Sequence, residues 1–485
     1  MYQAIIKSKT KANLKALSRH GIDFKGNSAI YDKKDFMFRV DAIISDQDKK
    51  RLESEGYIVE IVSDLSMVTE ERSREVSKTN RFSDMNMMAM TDEQILSVTE
   101  DRYMNVEEIE TELIDLSKKK YPELLELIEL PNKSAKKNKT SRAIRIHTPT
   151  ETNKPAVMFT GGVHAREWGT SDICMHFIRQ LLHSYKNNLS LQYKQKIYSF
   201  DQVKKIVENL DIIVFPDVNP DGKEYSQGGG QHLWRKNCNP TLVPYPNHEE
   251  EDFHKSAGVD LNRNFDFLWY SGIGTVNEDN TNQSQTYRGP TPFSEPESRN
   301  VKFLFDQYKN IKCFVDIHCH VGQILMSWGH DDTQCFFPEQ NFRNPEYNGK
   351  RGKYVSSDSE SGPEFYGESY GEYMHPLDAN TVIKYGKALY EGLKAVRGRE
   401  YELKPSVGLY PTSGTSQDYA FSQRDPNDID RVKIFAYTIE FGQRAGEGEE
   451  GDFTPPYSVM RKIMDDIASA LTELCYTIAN EKDTI

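Results

Sequence analysis

AVMFTGGVHAREW, residues 156–168, is the stretch on which the fold turns. Ala156–Thr160 is a short, almost wholly apolar run, the pattern of a strand covered on both faces. Gly161 and Gly162 end it, and Ile173, Phe177, Ile178, Leu181 and Leu182 then recur at helical spacing. A buried strand, a glycine turn and an amphipathic helix open a strand–helix crossover. Further apolar runs at 212–215, 314–317 and 435–439 alternate with helical patterns. This order predicts an α/β unit over 101–485, with a single mixed, mostly parallel sheet covered by helices on both faces.

The same turn carries His164 and Glu167. Zinc favours imidazole nitrogen and carboxylate oxygen, and a catalytic site has three protein ligands with one position left for water. His-x-x-Glu supplies two such ligands, although that spacing is also common on solvated helix faces. Position adds weight, because ligands of open α/β sheets sit outside the carboxyl ends of the strands. His318 follows the run 314–317 and Glu440 follows 435–439, so two His and two Glu stand at the mouths of three strands. Polar groups with no evident folding task fall in the same connections: Arg235 in LWRKN, Asn262 and Arg263 in GVDLNRNF, and Tyr410 in LYPTSGTSQDY. An arginine holds a carboxylate through two parallel hydrogen bonds, or stabilises an oxyanion beside a metal. A surface salt bridge is the plainer alternative for each.

Composition bounds the rest. With 485 residues, two or three domains are expected, and 26 Tyr and 23 Phe exclude a disordered chain. The net charge of −13 argues against a general nucleic-acid partner, and no run is long enough for a membrane span. The six cysteines are too scattered for a disulfide scaffold; one bridge at most is expected. Residues 1–65 read β-α-β-β-α-β, with strands at 1–6, 29–32, 36–44 and 58–62 and helices at 10–20 and 46–55, which suits a small α+β split-βαβ (ferredoxin-like) domain. Residues 66–100 are polar and patternless and read as an exposed connecting segment with room for a helix. Stretches 245–257 and 331–375 read as surface insertions.

GGVHAREW, PDVNPDG, LWRKN, GVDLNRNF, YRGPTPFSEPE, DIHCH, GTSQDY and TIEFG, in this order, resemble the funnelin zinc metallocarboxypeptidases, the family of the pancreatic carboxypeptidases A and B. The N-terminal domain resembles that family's inhibitory propeptide. The resemblance implies one zinc ion held by His164, Glu167 and His318, with Asp260 orienting His164. It implies Glu440 as the general base for a zinc-activated water and Arg235 as the group that stabilises the oxyanion. Asn262 and Arg263 would hold the substrate's C-terminal carboxylate, Tyr410 would close over it, Arg166 would serve residues further from the zinc, and Gln417 would occupy the side-chain specificity position. The implied function is hydrolysis of the C-terminal bond of peptides or proteins with a free C-terminus, by a monomer.

Two departures stand out. Gln417 replaces the Ile of the aliphatic-preferring enzymes and the Asp of the basic-preferring ones, so a neutral C-terminal side chain is expected. Cys319-His320 replaces the more usual Ser-Tyr. Alternative readings are a zinc amidohydrolase on acylated amino acids or cell-wall peptides, and a non-catalytic peptide-binding relative; Asn262, Arg263 and Tyr410 argue against the first, and the full ligand set with Glu440 against the second. If the leader covers the cleft the chain is a zymogen, with Arg72, Arg74, Lys78 and Arg81 as candidate cut sites. No secretory signal is evident, which gives the cytoplasm by default, whereas the family's habit implies secretion.

Overall fold

The computed structural model describes residues 1–10, 13–14, 17, 23–24, 30–83, 101–149, 154–228, 232–239, 258–273, 285–352, 370–409, 411–424, 432–444 and 447–481. At the N-terminus, Tyr2–Ser8 lies between Met37–Ile44 and Ile58–Asp64, antiparallel to both, and the short strands Asp23–Phe24 and Ile30–Asp32 pair with the outer edge of Met37–Ile44. This is the split-βαβ order. Ala4 and Ile6 meet Val40, Ala42, Ile44 and Leu52 in a small core. The helix Asp46–Ser54 starts at a capping box, Ser45 and Asp48 each satisfying the other's backbone. The helix expected over 10–20 lies largely outside the described residues; Leu14 and Leu17 are buried in this core. Ile43, on the opposite face, packs into the large core of the remaining chain.

The stretch that follows differs from the exposed segment expected at 66–100. Leu65–Arg74 is a helix capped by Asp64. Tyr103 N donates to Glu75 O (2.8 Å), Tyr457 N donates to Glu75 Oε2 (3.1 Å), and Arg81 pairs with the buried Glu108. Leu65, Val76 and Phe82 enter the large core. Three apolar side chains dispersed among charges are enough to dock such a segment, yet they make no period that a sequence reading detects. Residues 84–100 and the insertion 245–257 lie outside the described residues.

The large sheet has eight strands in the order Glu402–Pro405, Gln323–Met326, Phe435–Phe441, Ile311–Cys319, Ala156–Thr160, Asp211–Phe215, Arg142–Ile146 and Leu125–Glu129. The four central strands are parallel. Their burial on both faces explains why they read as continuous apolar runs. Gln323–Met326 runs antiparallel to Phe435–Phe441, and Arg142–Ile146 antiparallel to Asp211–Phe215. Helix Gly169–Lys186 buries the expected stripe, and Tyr457–Ala479 packs against it and against Pro376–Arg397. All six cysteines are free thiols, so the one bridge allowed for does not form. Among the described residues, no helix is long and apolar enough to cross a membrane.

Parallel register brings the functional strand ends level. Asp211–Phe215 and Ile311–Cys319 flank Ala156–Thr160, and His318 stands directly across the ladder from Glu440.

Candidate active site

The two glycines let the chain leave its strand in a tight space. A Cβ on Gly161 would stand 2.7 Å from Thr170 O, and one on Gly162, whose φ is +70°, would stand 2.6 Å from Asp217 Oδ1. The chain then turns, Glu167 N donating to His164 O (3.1 Å), while Thr170 Oγ1 donates to Glu167 O (2.7 Å). His164 Nδ1 consequently lies 2.9 Å from Glu167 Oε1. His318 arrives from the neighbouring strand, its Nδ1 3.0 Å from His164 Nδ1 and 3.1 Å from Glu167 Oε2. All three side chains are buried, and their donor atoms lie within 4.8 Å of one another. Donors about 2.0–2.1 Å from a tetrahedral zinc are about 3.3 Å apart. Two imidazole nitrogens and a carboxylate meeting tip to tip at this spacing fit one ion.

A carboxylate stands at the far edge of each ring. His164 Nε2 is 3.2 Å from Asp260 Oδ1, and His318 Nε2 is 3.0 Å from Asp316 Oδ2. The hydrogen bond to Asp260 favours the proton on His164 Nε2 and leaves Nδ1 to coordinate, and Asp316 puts a negative charge at the same edge of His318. Burial by itself would raise the Glu167 carboxyl, but the adjacent His164 and His318 hold it well below the usual carboxylate range. Burial likewise works against ionised Asp260, and Arg235, His164 and Arg263 bring it well below that range. Both groups are therefore carboxylates at neutral pH, as metal ligation and ring orientation require.

Arg235 donates to Asp260 Oδ2 from Nε (3.2 Å) and Nη2 (2.9 Å), which leaves its Nη1 3.4 Å from His164 Nδ1, at the rim of the triad. Asn262 N donates to Asp260 Oδ1 (3.0 Å), and Arg263 Nη1 to Asn262 O (2.6 Å). Glu440 is half-buried and shares the sheet face of His318, because paired residues on adjacent strands project the same way. The Arg166 guanidinium lies 4.0 Å from the Phe453 ring centroid. Gln417 is buried: its Oε1 accepts from Ser406 Oγ (3.0 Å) and Thr438 Oγ1 (2.7 Å), and its Nε2 donates to Ser327 Oγ (3.3 Å). Tyr410 lies outside the described residues.

A model of the family described as zinc carboxypeptidase matches residues 110–469. The chain belongs to the zinc carboxypeptidase family. It is 25% identical to carboxypeptidase O of Bos taurus over 333 residues, 68% of each chain. The fold is that of thrombin activatable fibrinolysis inhibitor (TM-score 0.67, 18% identity, 99% of both chains) and of carboxypeptidase A from Helicoverpa armigera (TM-score 0.65, 19% identity, 99% of this chain and 98% of that one). The protein is accordingly a metallocarboxypeptidase, a hydrolase.

Three neighbours of the zinc carboxypeptidase site escaped the sequence reading: Asp316, Ser416 and Phe453. Asp316 was within reach, since in DIHCH it precedes His318 by two residues and so shares its face of the strand. Ser416 and Phe453 join the site by contacts across the chain. Cys319 and His320 both turn to that last segment: Cys319 Sγ donates to Phe453 O (3.3 Å), and the His320 ring packs edge-on against Phe453 with Nδ1 3.1 Å from Gln443 O.

Proposed function

We propose that this metallocarboxypeptidase holds one zinc ion on His164, Glu167 and His318 and hydrolyses the C-terminal bond of peptides, with Glu440 as general base. The observation that carries the reading is the meeting of the three donors beside Arg235 and Asn262. A zinc ion there supplies Lewis acidity and lowers the pKa of water towards neutrality. Glu440 takes a proton from the attacking water and returns it to the leaving amine. Arg235, fixed by Asp260, donates to the scissile carbonyl oxygen as negative charge builds there. Asn262 and Arg263 hold the free carboxylate, Tyr410 closes over it, and Arg166 meets residues further from the cleaved bond.

Release of the C-terminal residue from short peptides tests this. Amidating the C-terminus is expected to slow release by at least about 10²-fold, the scale of one or two hydrogen bonds to a charged group. Equal rates on acid and amide would count against a carboxylate clamp. Gln417, surrounded by the hydroxyls of Ser406, Thr438 and Ser327, supports a preference for neutral terminal side chains over Lys and Arg.

Residues 1–65 are proposed as an inhibitory leader domain. Gln3 Nε2 donates to Gly451 O (2.8 Å) and Arg39 pairs with Glu447 (2.9 Å), so the small sheet rests on the segment that carries Phe453. Of the four candidate cut sites, Arg72 is buried in an ion pair, Arg81 is half-buried and paired with the buried Glu108, and Arg74 is the last residue of a helix. Lys78 is exposed on irregular backbone. Mild trypsin is therefore expected to cut after Lys78 before the other three sites, and peptide release is expected to rise as the leader separates. Mass spectrometry of the fragments, with a parallel assay, checks both; first cleavage at Arg72 or Arg81 would contradict the packing.

A further inference from the structure

The carboxylate beside His318 is held more firmly than a chance neighbour. Asp316 is fully buried. Its Oδ1 accepts from Thr160 Oγ1 (2.7 Å) and its Oδ2 from Ser416 Oγ (2.6 Å), and Oδ2 also stands 3.0 Å from His318 Nε2. Thr160 ends the strand that leads to His164, so Asp316 is pinned between the two strands that deliver the histidines. Two donated hydroxyls fix the carboxylate's plane, and it stands 3.0 Å from the edge of the His318 ring.

Ser416 has a second task. Its backbone N–H donates to Asn262 Oδ1 (2.9 Å), while Asn262's own N–H donates to Asp260 Oδ1 (3.0 Å). Asn262 therefore touches the carboxylate behind His164 directly and the one behind His318 through a single residue. Ser416 opens the helix Ser416–Ser422, whose cap Thr415 accepts from Asp418 N, so its place is set by helix geometry rather than by a loose loop.

We propose that Asp316 is the positioning residue for His318 and that Ser416 ties it to Asn262, linking the metal ligands to the substrate-carboxylate clamp through the 3.0 Å contact at His318 and the hydrogen bonds of Ser416. The part concerning Asn262 rests on the function proposed above; the part concerning His318 requires only the metal site. Removing the orienting carboxylate of a metal-bound histidine typically costs 10–100-fold in metal affinity. Losing the Ser416 hydroxyl removes one hydrogen bond to the Asp316 carboxylate while the Thr160 hydroxyl remains, and is expected to cost zinc affinity roughly 2–10-fold.

The test uses the full chain and zinc itself. Zinc affinity is measured by competition with a chelator, and KM and kcat by release from a peptide with a free C-terminus. Asp316→Asn keeps the shape and removes the charge. It is expected to weaken zinc binding about 10-fold or more, with zinc-free thermal unfolding like that of the parent. Ser416→Ala is expected to weaken zinc binding and to raise KM more than it lowers kcat, and Ser416→Thr to restore both. Zinc affinity within about twofold of the parent in both Asp316→Asn and Ser416→Ala overturns the positioning role. If Asp316→Asn does not fold, Ser416→Ala decides alone on the same criterion. An unchanged KM in Ser416→Ala overturns the bridge to Asn262. Failure of the parent protein to cleave any peptide would sink the proposed function instead, while the zinc affinities would still judge Asp316.

Discussion

Replacing Glu440 with Gln is expected to lower kcat by about 10²–10⁴-fold, the range that a positioned general base contributes, without loss of bound zinc. The substitution is isosteric, and Glu440 is no member of the donor triad, so the metal site should survive it. The amide cannot accept the proton of the attacking water, and that loss falls on the chemical step. KM should move little, because Asn262 and Arg263, which are proposed to hold the carboxylate, stand on another segment. Steady-state kinetics combined with zinc content per chain read the outcome. Activity within tenfold of the parent would assign the base to another group.

The second large effect is removal of the metal. Glu167 faces both histidines, at 2.9 Å from His164 and 3.1 Å from His318. Glu167→Ala takes away the carboxylate of the triad and leaves two imidazole nitrogens 3.0 Å apart. Zinc should then be lost, and peptide release should fall by at least about 10³-fold, matching the several kcal/mol that such an ion contributes to a transition state. A chelator should do the same to the parent protein, with recovery on adding zinc. The parent should also unfold at lower temperature once stripped, since a ligand that binds only the folded state stabilises it. Chelator-resistant activity would refute metal catalysis. Zinc retained by Glu167→Ala would refute its place in the triad.

Much of the architecture could be read before any coordinates. The strand Ala156–Thr160 and the helix after it match the expectation, because central parallel strands are buried on both faces and their apolar runs are local. The donors His164, Glu167 and His318 were legible for a related reason: in a parallel sheet the strand ends come level, so residues at those ends meet whatever lies between them in the chain. The docking of 65–83 was not legible, since Leu65, Val76 and Phe82 follow no period. Nor was the burial of Arg72 or the ion pairing of Arg81, whose charges suggest exposure until Glu75 and Glu108 are seen beside them.

Sequence alone marked the three donors that meet, the α/β order and the family resemblance, because each rests on short-range spacing or on motifs contiguous in the chain. Tertiary structure decided which carboxylates lie behind those donors and which candidate cut site stands open. Ser416 reaches Asp316 across 100 residues, and Arg39 reaches Glu447 across 408. A hydrogen bond between distant segments leaves no periodic trace in either of them; only the packing that aligns a donor with an acceptor reveals it.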